Sequence, residues 1–276
     1  MDFNNKIQEY LKSHNNYSKL GLSIEEIGGS FKYYLNENEL LSTASTMKLF
    51  VLGALLKKCE RKEEDLNRLV TLRKENFYPG SGVLNFLSEG ISLTVKDLCT
   101  LMIIISDNSA TNLCIDLAGG VECVNEHIQE LGVKNAILNR KVYDRSPNPN
   151  KKKLAEVSSK AFTDYLVKVR TTDYFNKEYK ELFFDILSKQ QFKDMFVRYM
   201  PLSDFYDEGK VEAMSKTGYD GGVRCDVGII VLEDKREFAY AIMVNGASDG
   251  SYSFDNKTHL MMAEIGKLFF DSVTKK

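Results

Sequence analysis

Ser45-Thr46-Met47-Lys48, at the head of the apolar run Leu49-Phe50-Val51-Leu52-Gly53-Ala54-Leu55-Leu56, is the stretch around which the chain is organised. A serine in the first turn of a helix keeps its backbone N–H unpaired, beside the positive end of the helix dipole. Lys48 lies three residues on and shares its face. A lysine buried against an apolar helix loses charge readily and can then act as a base toward a hydroxyl. The stretch therefore reads as a serine nucleophile with a lysine activator. Ser272-Val273-Thr274-Lys275 has the same spacing in an implausible setting at the C-terminus, so the rest of the chain must decide.

Working outward, residues 6–13 have helical periodicity, and two short strands, 20–26 and 31–35, are joined at Gly28-Gly29-Ser30. The helix headed by Ser45 is predicted to reach about Glu60. Another is predicted over 95–105, with Thr94 as its N-cap. Residues 139–157, with Pro147 and Pro149, read as one long surface loop. Helices are predicted again from Ser158 through 192–199. The last third turns β-rich, at 211–216, 227–232 and 238–244, before a closing amphipathic helix over 259–273. Strands at both ends with helices between predict an α+β fold. Its antiparallel sheet would be built from both chain ends with flanking helices, around an inserted all-helical lobe. The division is a single catalytic domain, 1–276, with an α/β lobe from 1–42 and 211–276 and a helical lobe from 43–210.

With 276 residues, 43% hydrophobic and 28% charged, the composition is that of a soluble enzyme. A net charge of −2 argues against nucleic acid as a partner, because phosphate binding needs a concentrated basic surface. The runs Lys57-Lys58 and Lys151-Lys152-Lys153 read as solvated faces. Five cysteines (59, 99, 114, 123 and 225), without C-x-x-C, point to a reducing compartment, or to an anaerobe's surroundings, and not to a disulfide framework. Met1 to Lys6 has no apolar signal region, so the sequence as numbered reads as cytoplasmic, or as secreted if a leader was trimmed. No apolar run reaches the roughly 18 residues needed to span a membrane. No H-E-x-x-H, phosphate loop or cysteine cluster calls for a metal or other cofactor. The expected partner is a small-molecule substrate, and the expected state a monomer.

Two further motifs occur once each. Ser106-Asp107-Asn108 follows the apolar helix 95–105 and reads either as a helix cap or as a polar site. Lys216-Thr217-Gly218 ends the first C-terminal strand. There Gly218 would admit a substrate backbone, and the cation and hydroxyl beside it could hold a carboxylate. Taken with Ser45-x-x-Lys48, these form in order the S-x-x-K, S-D-N and K-T-G set. On these motifs the chain resembles the class A β-lactamase and penicillin-binding family over nearly its whole length. Leu98–Asn112 is similar to the buried helix running into the second motif, 119–132 to the segment after it, and Ser188–Phe192 to the approach to the third.

The resemblance implies that Ser45 forms an acyl-enzyme, with Lys48 as its base. Ser106 would pass a proton to the leaving nitrogen, aided by Lys216. Asn108 would bind the acyl amide, and Thr217, beside Gly218, the substrate carboxylate. The oxyanion hole would be the N–H groups of Ser45 and Tyr219. Arg224, one residue off the expected register, would pair with the carboxylate or sit in a solvated turn. The substrate class implied is a β-lactam or related carboxylate-bearing amide. Alternatives on the same scaffold are a D-alanyl-D-alanine peptidase or esterase, or a sensor that stays acylated. The chain departs from class A where E-x-x-L-N supplies the deacylating glutamate. Here 138–146 reads Leu-Asn-Arg-Lys-Val-Tyr-Asp-Arg-Ser, with Val142 near the glutamate position. Asp144 reads as a loop brace with Arg140 or Arg145, and Glu156 lies at the far end. Slow deacylation is therefore expected. Gly246-Ala247-Ser248-Asp249-Gly250 matches a nucleophile elbow, but polar loop follows it where a helix is required.

Overall fold

The computed structural model describes residues 3–14, 17–143, 153–203 and 209–274. In chain order these form α1 (Phe3–Ser13), β1 (Lys19–Glu26), β2 (Lys32–Leu35), β3 (Leu41–Ser42), α2 (Lys48–Glu60), β4 (Leu69–Thr71), β5 (Ser92–Thr94), α3 (Val95–Ile104), α4 (Asn108–Leu117), α5 (Val121–Glu130), β6 (Ala136–Leu138), β7 (Ala155–Val157), α6 (Ser159–Thr171), α7 (Lys177–Ser188), β8 (Val211–Asp220), β9 (Val223–Leu232), β10 (Glu237–Asn245) and α8 (Lys257–Thr274). The fold is α+β. Its main sheet is antiparallel, in the order β2-β1-β10-β9-β8, and joins the two ends of the chain. β1 pairs with β10 along its whole length, from Lys19 opposite Asn245 to Glu26 opposite Phe238.

Both faces of this sheet are covered, which is why β1, β9 and β10 are buried almost continuously instead of alternating. On one face Leu22, Ile24, Ile230, Tyr240 and Ile242 pack with Phe3 and Ile7 of α1 and Met262, Ile265 and Phe269 of α8. On the other, Met214, Val227, Ile229 and Ala241 join the apolar cluster built by the middle of the chain. At the centre of that cluster runs α2, buried from Lys48 through Leu56. An all-round apolar helix is stable only when enclosed on every side. Gly53 permits part of that enclosure, since a Cβ there would lie 1.9 Å from the Tyr165 hydroxyl and 2.5 Å from His127 Nε2. The start of α3 is the predicted one: Thr94 accepts from the Asp97 amide at 3.0 Å, and the Asp97 carboxylate answers at the Thr94 amide, 3.1 Å away.

Three expectations are corrected. Residues 139–157 are not loop throughout: Ala155–Val157 is β7, which pairs with β6 on one side and β3 on the other. Residues 192–199 are turns, not helix, because tertiary partners take their backbone groups. The Phe196 amide donates to Asp226 Oδ2 at 3.0 Å, and just before it the Gln191 amide donates to the Ile104 carbonyl at 3.1 Å. Ser45 also lies ahead of α2, in a 3₁₀ turn over Ala44–Met47. Asp144, Arg145, Ser146, Pro147, Pro149, Lys151 and Lys152 lie outside the described residues.

Candidate active site

A cavity of about 1000 Å³ opens where the turn before α2, the link between α3 and α4, and the end of β8 meet. Ser45, Ser106, Asn108 and Tyr219 all line it. Seven described non-glycine residues have left-handed backbone, and three of them, Ala44 (φ 46°), Ser106 (φ 59°) and Tyr143 (φ 47°), line this cavity. Such conformations cost roughly 1–3 kcal/mol each and persist only where the surroundings enforce them. Strain is therefore concentrated at the cleft.

Lys48 is fully buried and its Nζ donates to three acceptors, Ser106 O at 2.8 Å, Ser106 Oγ at 2.9 Å and Asn108 Oδ1 at 3.2 Å. Burial lowers its pKa from 10.5 to about 7, with Asp107 and Cys114 opposing the shift. That is roughly 5 kcal/mol against the charged form, enough to make the neutral amine abundant near neutrality. Lys216 is also fully buried, and burial followed by the charge of Lys48 pushes its pKa well down, against Asp226. Its Nζ donates to the Thr217 carbonyl at 2.7 Å.

The Ser106-Asp107-Asn108 link is at once helix cap and cleft wall. Asp107 Oδ1 accepts from the Ala110 amide at 2.9 Å, capping α4. Its Oδ2 accepts from the amides of Val83 and Leu84 at 2.7 and 2.8 Å, fixing the loop that crosses the cleft. The residues on either side are thereby aimed inward, and Asn108 also donates to Pro79 O at 3.0 Å.

Gly218 serves a different approach from the one expected. A Cβ there would stand 2.7 Å from Thr43 O and 3.0 Å from the Ser45 amide nitrogen, so the backbone it admits is the chain's own nucleophile turn. Thr217 is fully buried on the same strand, with its hydroxyl beside that of Tyr219. Arg224 is not brought to the cleft. It is fully buried, donating to Gly221 O and Val223 O at 2.8 Å and to Ser251 O at 2.6 Å, under the ring of Tyr252. Residue spacing did not mark Asp194, Phe192, Tyr252 or His259 as cleft residues, yet all four line the far wall. Each is a single residue with no spacing to mark it. Ser248 is exposed in loop, and Ser272 lies in the last turn of α8, away from the cleft lining. Among the described residues no group of three or more His, Cys, Asp or Glu is placed to hold a metal ion, and no helix is long and apolar enough to cross a membrane. All five cysteines are free.

Comparison with solved structures gives the class: the fold is that of β-lactamases and of PBP-A. A β-lactamase from Sphaerobacter thermophilus superposes with a TM-score of 0.87 at 26% identity, covering 99% of this chain and 98% of that one. PBP-A does so with a TM-score of 0.84 at 21% identity, over 99% and 96%. Among curated relatives, β-lactamase BRO-1 of Moraxella catarrhalis is 24% identical over 272 residues, 95% of this chain and 83% of BRO-1. β-Lactamase ROB-1 of Haemophilus influenzae is 33% identical over 116 residues, 42% of this chain and 36% of ROB-1. The chain belongs to the β-lactamase enzyme family, whose sequence model matches residues 2–273, and is a serine hydrolase of that family.

Proposed function

We propose that the protein acylates itself at Ser45 with a β-lactam or related carboxylate-bearing amide, using a single catalytic domain of two lobes, 1–42 with 211–276 and 43–210. The observation that carries this reading is the buried Lys48 amine, with a pKa near 7 and hydrogen-bonded to Ser106 and Asn108. A charged amine fills all three contacts with its three N–H groups. A neutral one has two N–H groups and a lone pair, so losing a proton releases one contact and creates a base. Ser45 Oγ then attacks the carbonyl carbon as its proton passes to Lys48 Nζ. The amide C–N bond breaks as Ser106 gives its hydroxyl proton to the leaving nitrogen and recovers one from Lys48. Ser106 fits this shuttle because a hydroxyl both donates and accepts. The N–H groups of Ser45 and Tyr219 would hold the oxyanion, each worth about 3–4 kcal/mol. Asn108 would hold the acyl amide, and Thr217 and Lys216 the substrate carboxylate. Arg224 braces the 221–251 turns instead.

Deacylation is proposed to be slow. The carboxylates lining the described cleft are Asp194 and Asp220, and Asp194 is already engaged by Tyr219 and His259. Val142 lines the cleft near the expected glutamate position, and a missing general base costs about 10²–10⁴-fold. Incubation with a penicillin, followed by intact mass and peptide mapping, should show one acyl group on Ser45 and none in Ser45→Ala. A chromogenic cephalosporin should give a burst and then weak turnover. A label on Ser248 would defeat the assignment. Fast turnover would defeat the slow-deacylation part, and preferential cleavage of D-alanyl-D-alanine peptides would make the protein a peptidase.

A further inference from the structure

Beside the proposed catalytic groups, the side chains of Asp194, Tyr219 and His259 form a cluster that takes no part in the steps above. Asp194, in the turns after α7, accepts a hydrogen bond from the Tyr219 hydroxyl on one oxygen. Its other oxygen lies 3.1 Å from Nδ1 of His259, at the start of α8. All three residues line the cleft. The His259 ring meets the Tyr219 ring edge-on at 5.4 Å. His259 is buried, and neither ring nitrogen has an aligned hydrogen bond. Its contact with Asp194 is therefore close but out of line. Tyr219 is the better-directed partner. Burial and the Asp194 charge both raise its pKa, keeping it a donor. Asp194 is pushed up by burial, but its contacts with His259 and Tyr219 outweigh that and hold it below the usual carboxylate range.

Tyr219 is paired in the sheet on one side only, opposite Arg224 of β9, because β8 is an edge strand. Before Tyr219, Gly218 packs on the Ser45 turn; after it, the strand runs into the Gly221-Gly222 turn, where glycines add backbone freedom. An oxyanion donor works only within about 2.7–3.1 Å of the developing charge, and a 1 Å displacement can cost on the order of 10²-fold. We infer that Asp194 is a positioning residue for acyl transfer: by holding the Tyr219 phenol it fixes the end of β8, and with it the N–H of residue 219. This rests on the acylation reading above. Asp194 touches no reacting atom and acts through Tyr219.

The test measures the acylation rate constant and the preceding binding constant for a penicillin, with thermal melting, in wild type, Asp194→Ala, Asp194→Asn, Tyr219→Phe and the Asp194→Ala/Tyr219→Phe double variant. Tyr219→Phe keeps the ring and removes only the tether, so it guards against a variant that fails to fold. Asp194→Ala and Tyr219→Phe should each slow acylation by about 10–10²-fold, with binding little changed. The double variant should be no slower than the worse single, and Asp194→Asn, which still offers an acceptor oxygen, should recover part of the loss. Variants that acylate like a reactive wild type, or losses that add in the double variant, overturn this inference alone. A wild-type protein that takes no acyl group overturns the acylation reading and this one with it.

Discussion

Lys48 must be buried to become a base and must be hydrogen-bonded to be buried. Ser106 and Asn108 supply those bonds without supplying a negative charge. Because the folded pKa is lowered to about 7, the base-competent fraction should climb about tenfold per pH unit below 7 and level off above it. Acylation rates measured from pH 5 to 9 should show that limb. Lys48→Arg, always charged, should lose it and react about 10²–10⁴-fold more slowly. A flat profile in the wild type would assign the base elsewhere. The same shift bears on stability: the depressed pKa gives a contribution present above about 10.5 and lost as pH falls through about 7. At this scale the sequence displayed Ser45, Lys48, Ser106 and Asn108 because motif spacing marks them. Asp194 and His259 were illegible, since each becomes significant only through a partner brought to it by folding.

Among the elements, β8 and the 3₁₀ turn before α2 depend on one missing methyl group. Gly218→Ala would drive a Cβ into the Thr43 carbonyl, and backbone cannot yield as a flexible side chain would. Overpacking costs typically 1–3 kcal/mol. The melting temperature should therefore fall modestly while acylation falls at least about 10²-fold, because the Ser45 turn must move. Stopped-flow acylation with parallel melting curves checks this, and a wild-type rate would mean the turn tolerates the shift. The motif was legible, but not what the glycine makes room for. Residues 192–199 show the limit of periodicity. Phe192, Met195, Phe196 and Tyr199 repeat as a helix face does, yet the residues actually buried are the consecutive Met195, Phe196 and Val197. The Phe196 amide in their midst is taken by Asp226, so a string of turns forms there and not a helical ladder. The loop read over 139–157 erred the other way: β7 has only three residues, and its identity comes from β3 and β6 beside it.

The whole molecule is two apolar cores separated by one sheet, and the building of that sheet from both chain ends was legible because β-rich stretches there frame a helical middle. What could not be read was how α6 clamps the two together, through Ser23 Oγ and Thr163 Oγ1 at 2.7 Å and the Lys160–Glu25 pair at 3.0 Å. Closing a sheet over such sequence separation is entropically expensive and slow. In refolding followed by pulsed hydrogen exchange, β1 amides should gain protection together with those of β10 and later than those of α2 and α3. Early protection of β1 with β2 alone would show the ends assembling independently. The pairing of β1 with β10 also sets a clock on the ribosome. At about 5–20 residues per second, the roughly 220 residues between the end of β1 and the end of β10 take on the order of 10–45 s to make. For that time each nascent chain carries Leu20, Leu22 and Ile24 on a strand whose main partner does not yet exist, so its yield in the cell should depend on the chaperones that shield such segments.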